Sequence, residues 1–126
     1  MIGLADTSLF IARQHDRPIR GQPPEEMAVS VVTVGELRLG VLVADDVDSR
    51  ERRLSTLQFA TSLRPVPIDE PVAEAWAGLL ARLRAANLRM PINDSWIAAT
   101  ALAHGMVVVT QDDDFDVVHD LAVVKV

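Results

Sequence analysis

Carboxylates recur along this chain at the points where apolar, strand-like runs give way to helix or turn signals. They fall in the segments IGLADTSLF, SVVTVGELRLG, PINDSWIAATALAHG and VVVTQDDDF, and the residues are Asp6, Glu36, Asp94, Asp112 and Asp114. Parallel strands end at one edge of their sheet, so acids far apart in sequence can meet there. Two carboxylates ~4 Å apart repel by roughly 4 kcal/mol at an effective dielectric constant near 20. A cluster therefore needs protons or a cation, and oxygen-only ligands favour magnesium or manganese.

Length and composition indicate one α/β domain over residues 1–126. The chain is 49 % hydrophobic, which suits a valine-rich parallel sheet covered by helices rich in alanine and leucine. It has no cysteine, which excludes disulfides and thiolate zinc sites. The N-terminus lacks a basic signal-peptide segment, and no apolar run approaches the ~20 residues of a membrane span. We therefore expect a soluble, cytoplasmic protein without a membrane segment.

Charge gives no general preference for nucleic acid, because the net charge is −6. Such a balance is unlike that of proteins that bind phosphates without specificity. Arginine is nevertheless clustered, and its planar fork suits phosphate. Each cluster could equally be a solvated helix face. The clusters are Arg13, Arg17 and Arg20, then Arg50, Arg52 and Arg53, and finally Arg82, Arg84 and Arg89.

Apolar periodicity predicts alternating strands and helices. This alternation implies βαβ crossovers and a three-layer α/β sandwich with a short, five-stranded parallel sheet. The segment Asp16–Glu26 contains three prolines and a glycine and is predicted to be a loop. The predicted strands are Ile2–Ala5, Met27–Val32, Pro65–Ile68, Met106–Thr110 and Ala122–Val126. The predicted helices are Thr7–Gln14, Thr33–Ala44, Asp48–Leu63, Glu70–Asn87 and Ser95–His104.

Each acid also has a purely structural explanation. Asp6 could cap the following helix, since aspartate is common at that position. Thr33 and Glu36 have the spacing of a capping box. Asn93 or Asp94 could cap the last helix, where an acid also favours the helix dipole, and the final acids could form a polar turn. All of these acids would lie at one edge of the sheet. A single shared role therefore explains them more simply than a separate structural role for each.

The acidic segments, in this order and spacing, resemble those of the PIN-domain ribonucleases, and most closely the VapC toxins of bacterial toxin–antitoxin pairs. The resemblance runs from Ile2 to the last strand and implies a PIN-like sheet and a magnesium- or manganese-dependent endoribonuclease. The family's acids would fall on Asp6, Glu36, Asp94 and Asp112, with Asp114 as a fifth, and Ser8 and Thr110 would match its supporting hydroxyls. Which residue from Asp112 to Asp114 is the direct ligand stays open. If the segment is extended, Asp112 and Asp114 face one way and Asp113 the other.

On this hypothesis Asp6, Asp94 and Asp112 hold the metal directly or through water, while Glu36 and Asp114 position a water or a second ion. Attack on an RNA phosphodiester would leave a 5′-phosphate and a 3′-hydroxyl. The expected partners are the RNA substrate, a cognate antitoxin and a second copy of the chain, giving a homodimer and, with antitoxin, a heterotetramer or larger assembly. Helix faces at Leu37–Val43 and Leu54–Leu63 are more apolar than one sheet face can cover, which favours such partners.

Other classes of function remain open at this point. A phosphohydrolase or aspartate-phosphorylating enzyme on a similar sheet would need a lysine beside the acids, and the only lysine is Lys125. A non-catalytic acidic module that binds a basic partner or a structural ion would carry the same acids without turnover. Transfer, ribosomal and messenger RNA all fit the enzyme hypothesis, because specificity would depend on loop shape.

Overall fold

The structure is a computed structural model that describes residues 1–126, and it contains five strands, five α-helices and one short 3-10 helix. None of the helices combines the length and the apolarity that crossing a membrane requires. The strands are β1 (Ile2–Ala5), β2 (Glu26–Ser30), β3 (Arg64–Val66), β4 (Val107–Thr110) and β5 (Val123–Lys125). The helices are α1 (Thr7–Gln14), α2 (Val31–Leu42), α3 (Val47–Ser62), α4 (Glu70–Ala85) and α5 (Ile92–His104), and the 3-10 helix is Asp114–Val117.

All strands are parallel, in the order β3-β2-β1-β4-β5. The chain starts at the centre of the sheet, adds β2 and β3 on one side, and then returns to add β4 and β5 on the other. The strand order therefore reverses between β1 and β4, and ligands of open α/β sheets bind outside the carboxyl ends of the strands at such a point. The five-stranded parallel sheet predicted from the sequence is confirmed.

Two apolar cores lie on opposite faces of the sheet, which makes the molecule three layers thick. Neighbouring residues of one strand enter different cores, because side chains alternate across a pleated sheet. Thus Leu4 packs towards α4 and α5, while Ala5 packs towards α1, α2 and α3. The α4–α5 core contains Leu79, Leu83, Ile97, Val108 and Phe115, and the other contains Leu9, Phe10, Leu37, Leu57 and Val109.

Two helix starts differ from the predicted ones by two residues or more, those of α2 and α5, and the change at α5 moves an acid into the helix. Strand β2 ends at Ser30, whose hydroxyl accepts a hydrogen bond from the backbone N–H of Val32 at 3.1 Å and so caps α2. The capping box that was the alternative explanation for Thr33 and Glu36 therefore does not form. Helix α5 begins at Ile92 rather than Ser95, so that its first turn contains the acid predicted to precede it.

Candidate active site

Asp6 lies at the switch point, directly after β1. Its backbone N–H donates to the carbonyl of Val109 at 2.9 Å, which extends the pairing of β1 with β4 by one residue. The residue is 1 % exposed, and its Oδ2 accepts a hydrogen bond of 2.9 Å from the hydroxyl of Thr110. Asp6 occupies the N-cap position of α1, but its side chain makes no capping bond. The carboxylate is thus held towards β4 and not used by the helix.

Hydroxyl groups connect the start of α1 to the loop after β4. The hydroxyls of Ser8 and Thr110 lie 3.2 Å apart. Ser8 Oγ accepts from the backbone N–H of Gln111 at 3.1 Å, and Thr110 Oγ1 accepts from that of Asp112 at 3.0 Å. The backbone around Asp112 is therefore positioned by Ser8 and by Thr110, whose hydroxyl also holds Asp6.

Glu36 lies inside α2, past its first turn, and is held from α1. The hydroxyl of Thr7 donates to Glu36 Oε1 at 2.8 Å, and the hydroxyls of Thr7 and Thr33 lie 3.0 Å apart. Thr33 is completely buried, so its hydroxyl fixes the position of Thr7 from the interior of the protein. A hydrogen bond to one carboxylate oxygen orients the side chain and leaves the second oxygen for another ligand.

Asp94 lies in the first turn of α5, where no side chain caps the helix. Burial, the charge of Asp6, a hydrogen bond with the carboxyl of Asp114, and the charges of Asp114 and Glu36 together raise its pKa from 3.8 to about 7. A hydrogen bond between two carboxyl groups requires a proton on one of them, because an ionised carboxylate only accepts. Asp94 therefore lies among acids from three other elements, namely Asp6, Glu36 and Asp114.

The three consecutive aspartates do not share one environment. The pKa of Asp112 is raised by burial and then by the charges of Asp6, Asp114 and Asp113. Asp113 accepts a hydrogen bond of 2.6 Å from the ammonium group of Lys125 on the surface. The segment is a bend followed by the 3-10 helix, so the extended geometry behind the predicted alternation is wrong. The turn nevertheless separates Asp113, which is paired with lysine, from the residues on either side.

Two tryptophans pack beside the turn that carries Asp94, and one of them hydrogen-bonds to it. The sequence patterns did not predict this contact. The rings of Trp76 on α4 and Trp96 on α5 are stacked, 4.2 Å apart and within 2° of parallel. The indole N–H of Trp76 donates to the hydroxyl of Ser95 at 2.9 Å, and that hydroxyl donates to the carbonyl of Ile92. Apolar spacing indicates only that Trp76 faces inward, whereas this bond depends on how α4 and α5 cross.

The site thus consists of carboxylates from four parts of the chain, together with hydroxyls that orient two of them. The carboxyl oxygens are the donors that magnesium and manganese prefer. No three of these side chains are arranged as a complete set of metal ligands in the structure. Burial and the mutual repulsion of the carboxylates together raise the pKa of Asp94 and Asp112. A divalent cation bound among them would relieve that repulsion.

The fold and this acidic edge define a known class of protein. The sequence pattern of the PIN domain matches residues 4–121. The chain therefore belongs to the PIN-domain family, as its acidic segments predicted.

Several relatives of the chain are VapC proteins. It is 54 % identical over 125 residues to Ribonuclease VapC4 of Mycobacterium tuberculosis, across 98 % of this chain and 95 % of that protein. It is 41 % identical to Ribonuclease VapC5 of the same organism, across 98 % of this chain and 93 % of the relative. The crystal structure of VapBC-5, a member of the VapBC family of toxin–antitoxin systems from Mycobacterium tuberculosis, has a chain that superimposes with a TM-score of 0.88 at 39 % identity, covering 99 % of this chain and 98 % of that one.

Proposed function

We propose that this chain is the toxin of a VapBC-type pair, an endoribonuclease that hydrolyses RNA phosphodiesters with the help of a divalent metal ion. The ribonuclease activity follows from the PIN domain and from the two VapC ribonucleases to which nearly the whole chain is similar. The observation that carries the metal site is the burial of Asp94 among other carboxylates; the burial and the neighbouring charges together raise its pKa to about 7. As a VapC toxin it would act in the cytoplasm, where its RNA substrates lie.

We assign the direct metal ligands to Asp6, Asp94 and Asp112, and the positioning of a water or a second ion to Glu36 and Asp114. Such an ion supplies a water of lowered pKa and offsets the charge of the phosphate. The chain's own contribution is orientation, because the hydroxyl of Thr110 holds Asp6 at 2.9 Å and that of Thr7 holds Glu36 at 2.8 Å. Since no complete ligand set is preformed, ion binding would involve rotation of carboxylate side chains.

An antitoxin and a second toxin chain are the protein partners we propose. The surface where α2 meets α3 exposes Leu39, Leu42, Val43 and Val47, each more than half accessible to solvent. Contiguous apolar surface of this kind usually marks a protein–protein contact. An antitoxin could also place an arginine or lysine near the acids, where a cation is favoured. This partner assignment is supported by the VapBC-5 complex, which is a toxin–antitoxin system by its own description.

A phosphohydrolase on the same sheet is disfavoured by the position of Lys125. Its ammonium group binds Asp113 at 2.6 Å and Asp116 at 2.7 Å on the exposed side of the loop. Both bonds raise the pKa of Lys125, so the side chain stays charged and paired. It is therefore not available as the phosphate-binding lysine that such a mechanism would need beside Asp94.

The test is cleavage of RNA by the purified chain in magnesium or manganese, with EDTA as the opposing condition. We expect cleavage that depends on the metal, is abolished by chelation and is lost in Asp94→Asn. Asp120→Asn is a matched control, since Asp120 is exposed and makes no side-chain contact with the site. The metal should also raise the melting temperature, because an ion that binds the folded state stabilises it. Cleavage by the wild type that persists undiminished in EDTA would exclude the metal mechanism, and retained metal binding without any cleavage would favour the non-catalytic module.

A further inference from the structure

A cleft on the α4–α5 side of the sheet lies next to the acidic edge but contains none of its carboxylates. It encloses about 380 Å³ between the end of α4, the loop of residues 86–91 and the first turn of α5. Its apolar wall is formed by Leu80, Leu83, Leu88, Met90 and Ile92, and Arg84 and Arg89 lie on its exposed rim. Ser95 also lines the cleft, so the wall includes the turn that carries Asp94.

The backbone fixes the shape of this cleft. Helix α4 ends in a Schellman motif, in which Asn87 has a left-handed conformation with φ of 56°. The N–H of Leu88 then donates to the carbonyl of Leu83 at 2.8 Å, and both side chains line the cleft. The motif sets where the following loop begins, with Arg84 in the last turn of α4 and Arg89 directly after Leu88.

The arginines of this cluster make no side-chain hydrogen bond or ion pair within the chain, unlike some of the other arginines. Arg53 donates to a backbone carbonyl at 2.7 Å, and Arg13 lies 4.1 Å above a phenylalanine ring. Arg84 and Arg89 take part in none of the ion pairs of the structure. The segment 82–92 contains three arginines and no acid, which makes it a local positive patch on a chain of net charge −6.

We propose that this cleft binds a nucleotide of the RNA next to the scissile phosphate, with Arg84 and Arg89 on its phosphates and the apolar wall against its base or ribose. The charge of the rim is complementary to a phosphate backbone, and Arg forks bind phosphate in a bidentate manner. Ile92, which is 57 % exposed, offers an apolar surface at the mouth. Asp94 lies on the same turn of α5 as Ile92. An RNA strand that crosses this turn could therefore contact both the cleft and the acidic site. This inference rests on the proposed ribonuclease function.

The test is the salt dependence of binding to a single-stranded RNA, measured in magnesium on an Asp112→Asn background that does not cut. Each phosphate contact on a single strand contributes about 0.7 to the slope of log Kd against log salt. Arg84→Gln and Arg89→Gln should each lower the slope by about 0.7, and the double variant by about 1.4. Near 0.1 M salt this corresponds to a Kd about 5-fold higher for each single variant and about 25-fold higher for the double variant. The corresponding lysine variants should keep the slope, because they keep the charge. In cutting-competent protein the glutamine variants should raise KM and leave kcat nearly unchanged.

Arg52→Gln is the matched control, since Arg52 is an exposed arginine on α3 with no side-chain partner. It should leave the salt slope at the wild-type value. Slopes of the Arg84 and Arg89 variants that equal the Arg52→Gln slope would overturn the assignment of the cleft, even if the wild type cuts RNA. A wild type that cuts no RNA in either metal would instead overturn the proposed function, so the two failures can be told apart.

Discussion

Replacing Asp94 with asparagine should make the metal-free protein more stable while it abolishes cleavage. The carboxyl of Asp94 is partly buried among acids from β1, α2 and the loop after β4, which raises its pKa from 3.8 to about 7. The fully unscreened value of that shift is about 4 kcal/mol at 1.36 kcal/mol per pKa unit. Because the group is partly exposed and solvent screens its neighbours, we expect a gain of about 1 to 2 kcal/mol. For a chain of this size that corresponds to a rise in Tm of about 3 to 8 °C.

The effect should depend on pH in a definite direction. Since the pKa of Asp94 is raised by folding, the folded state binds more protons than the unfolded chain between pH 3.8 and about 7. The stability of the wild type that is due to this group is therefore present below pH 3.8 and is lost as the pH rises towards 7. The advantage of Asp94→Asn should appear at pH 7 to 8 and vanish near pH 4.

Thermal unfolding in EDTA at pH 4, 6 and 8 measures this difference, with Asp120→Asn as the control for simple removal of negative charge. Magnesium should reverse the order at pH 8, because it stabilises the wild type more than a variant that lacks a ligand. A variant that is less stable than the wild type at pH 8 in EDTA would refute the reasoning, since it would mean that the ionised carboxylate is favourably placed in the fold.

Two further predictions concern the surroundings of the acids. Asp112→Asn should abolish cleavage, whereas Asp113→Asn should change both cleavage and stability little, within about 0.5 kcal/mol, because Asp113 is exposed and Lys125 keeps a second carboxylate partner. Loss of cleavage in Asp113→Asn, measured in the same assay, would mean that Asp113 and not Asp112 is the metal ligand. Trp76→Phe keeps an aromatic ring in the stack but removes the 2.9 Å bond to Ser95, so it should cost about 1 kcal/mol of stability and lower kcat severalfold. Wild-type kcat in a destabilised Trp76→Phe variant would show that the bond stabilises the fold without positioning the site.

The strands could be predicted from the sequence because both faces of the sheet are covered by apolar cores. A strand buried on both faces is a continuous run of apolar residues, which is easy to recognise. Val107, Val108 and Val109 are all buried, as a central parallel strand with helices on both faces requires. The start of α2 was misplaced because Val31 and Val32 have the β-branched side chains that favour strands. The hydroxyl of Ser30 caps a helix there, and local capping prevails over propensity.

The candidate acids could be located from the sequence because each follows or adjoins a recognisable strand end. Their supports could not all be found in the same way. The contact of Thr7 with Glu36 joins α1 to α2, and that of Trp76 with Ser95 joins α4 to α5. Both depend on the angle at which helices cross, which no period in the sequence encodes. The pairing of Asp113 with Lys125 likewise depends on β5 lying beside β4.

The central position of β1 has a consequence for when the protein becomes active during its synthesis. Asp6 leaves the ribosome first, but the hydroxyl that orients it belongs to Thr110, 104 residues later in the chain. Until β4 has been made, one edge of β1 has no partner strand, and its carboxylate has neither Thr110 nor Asp112 beside it. Contacts between such distant residues form late in folding. If Asp6 and Asp112 hold the metal as proposed, a nascent or prematurely terminated chain that stops before β4 should be harmless to the RNA around it. The ability to cut would then arise only when nearly the whole polypeptide has emerged.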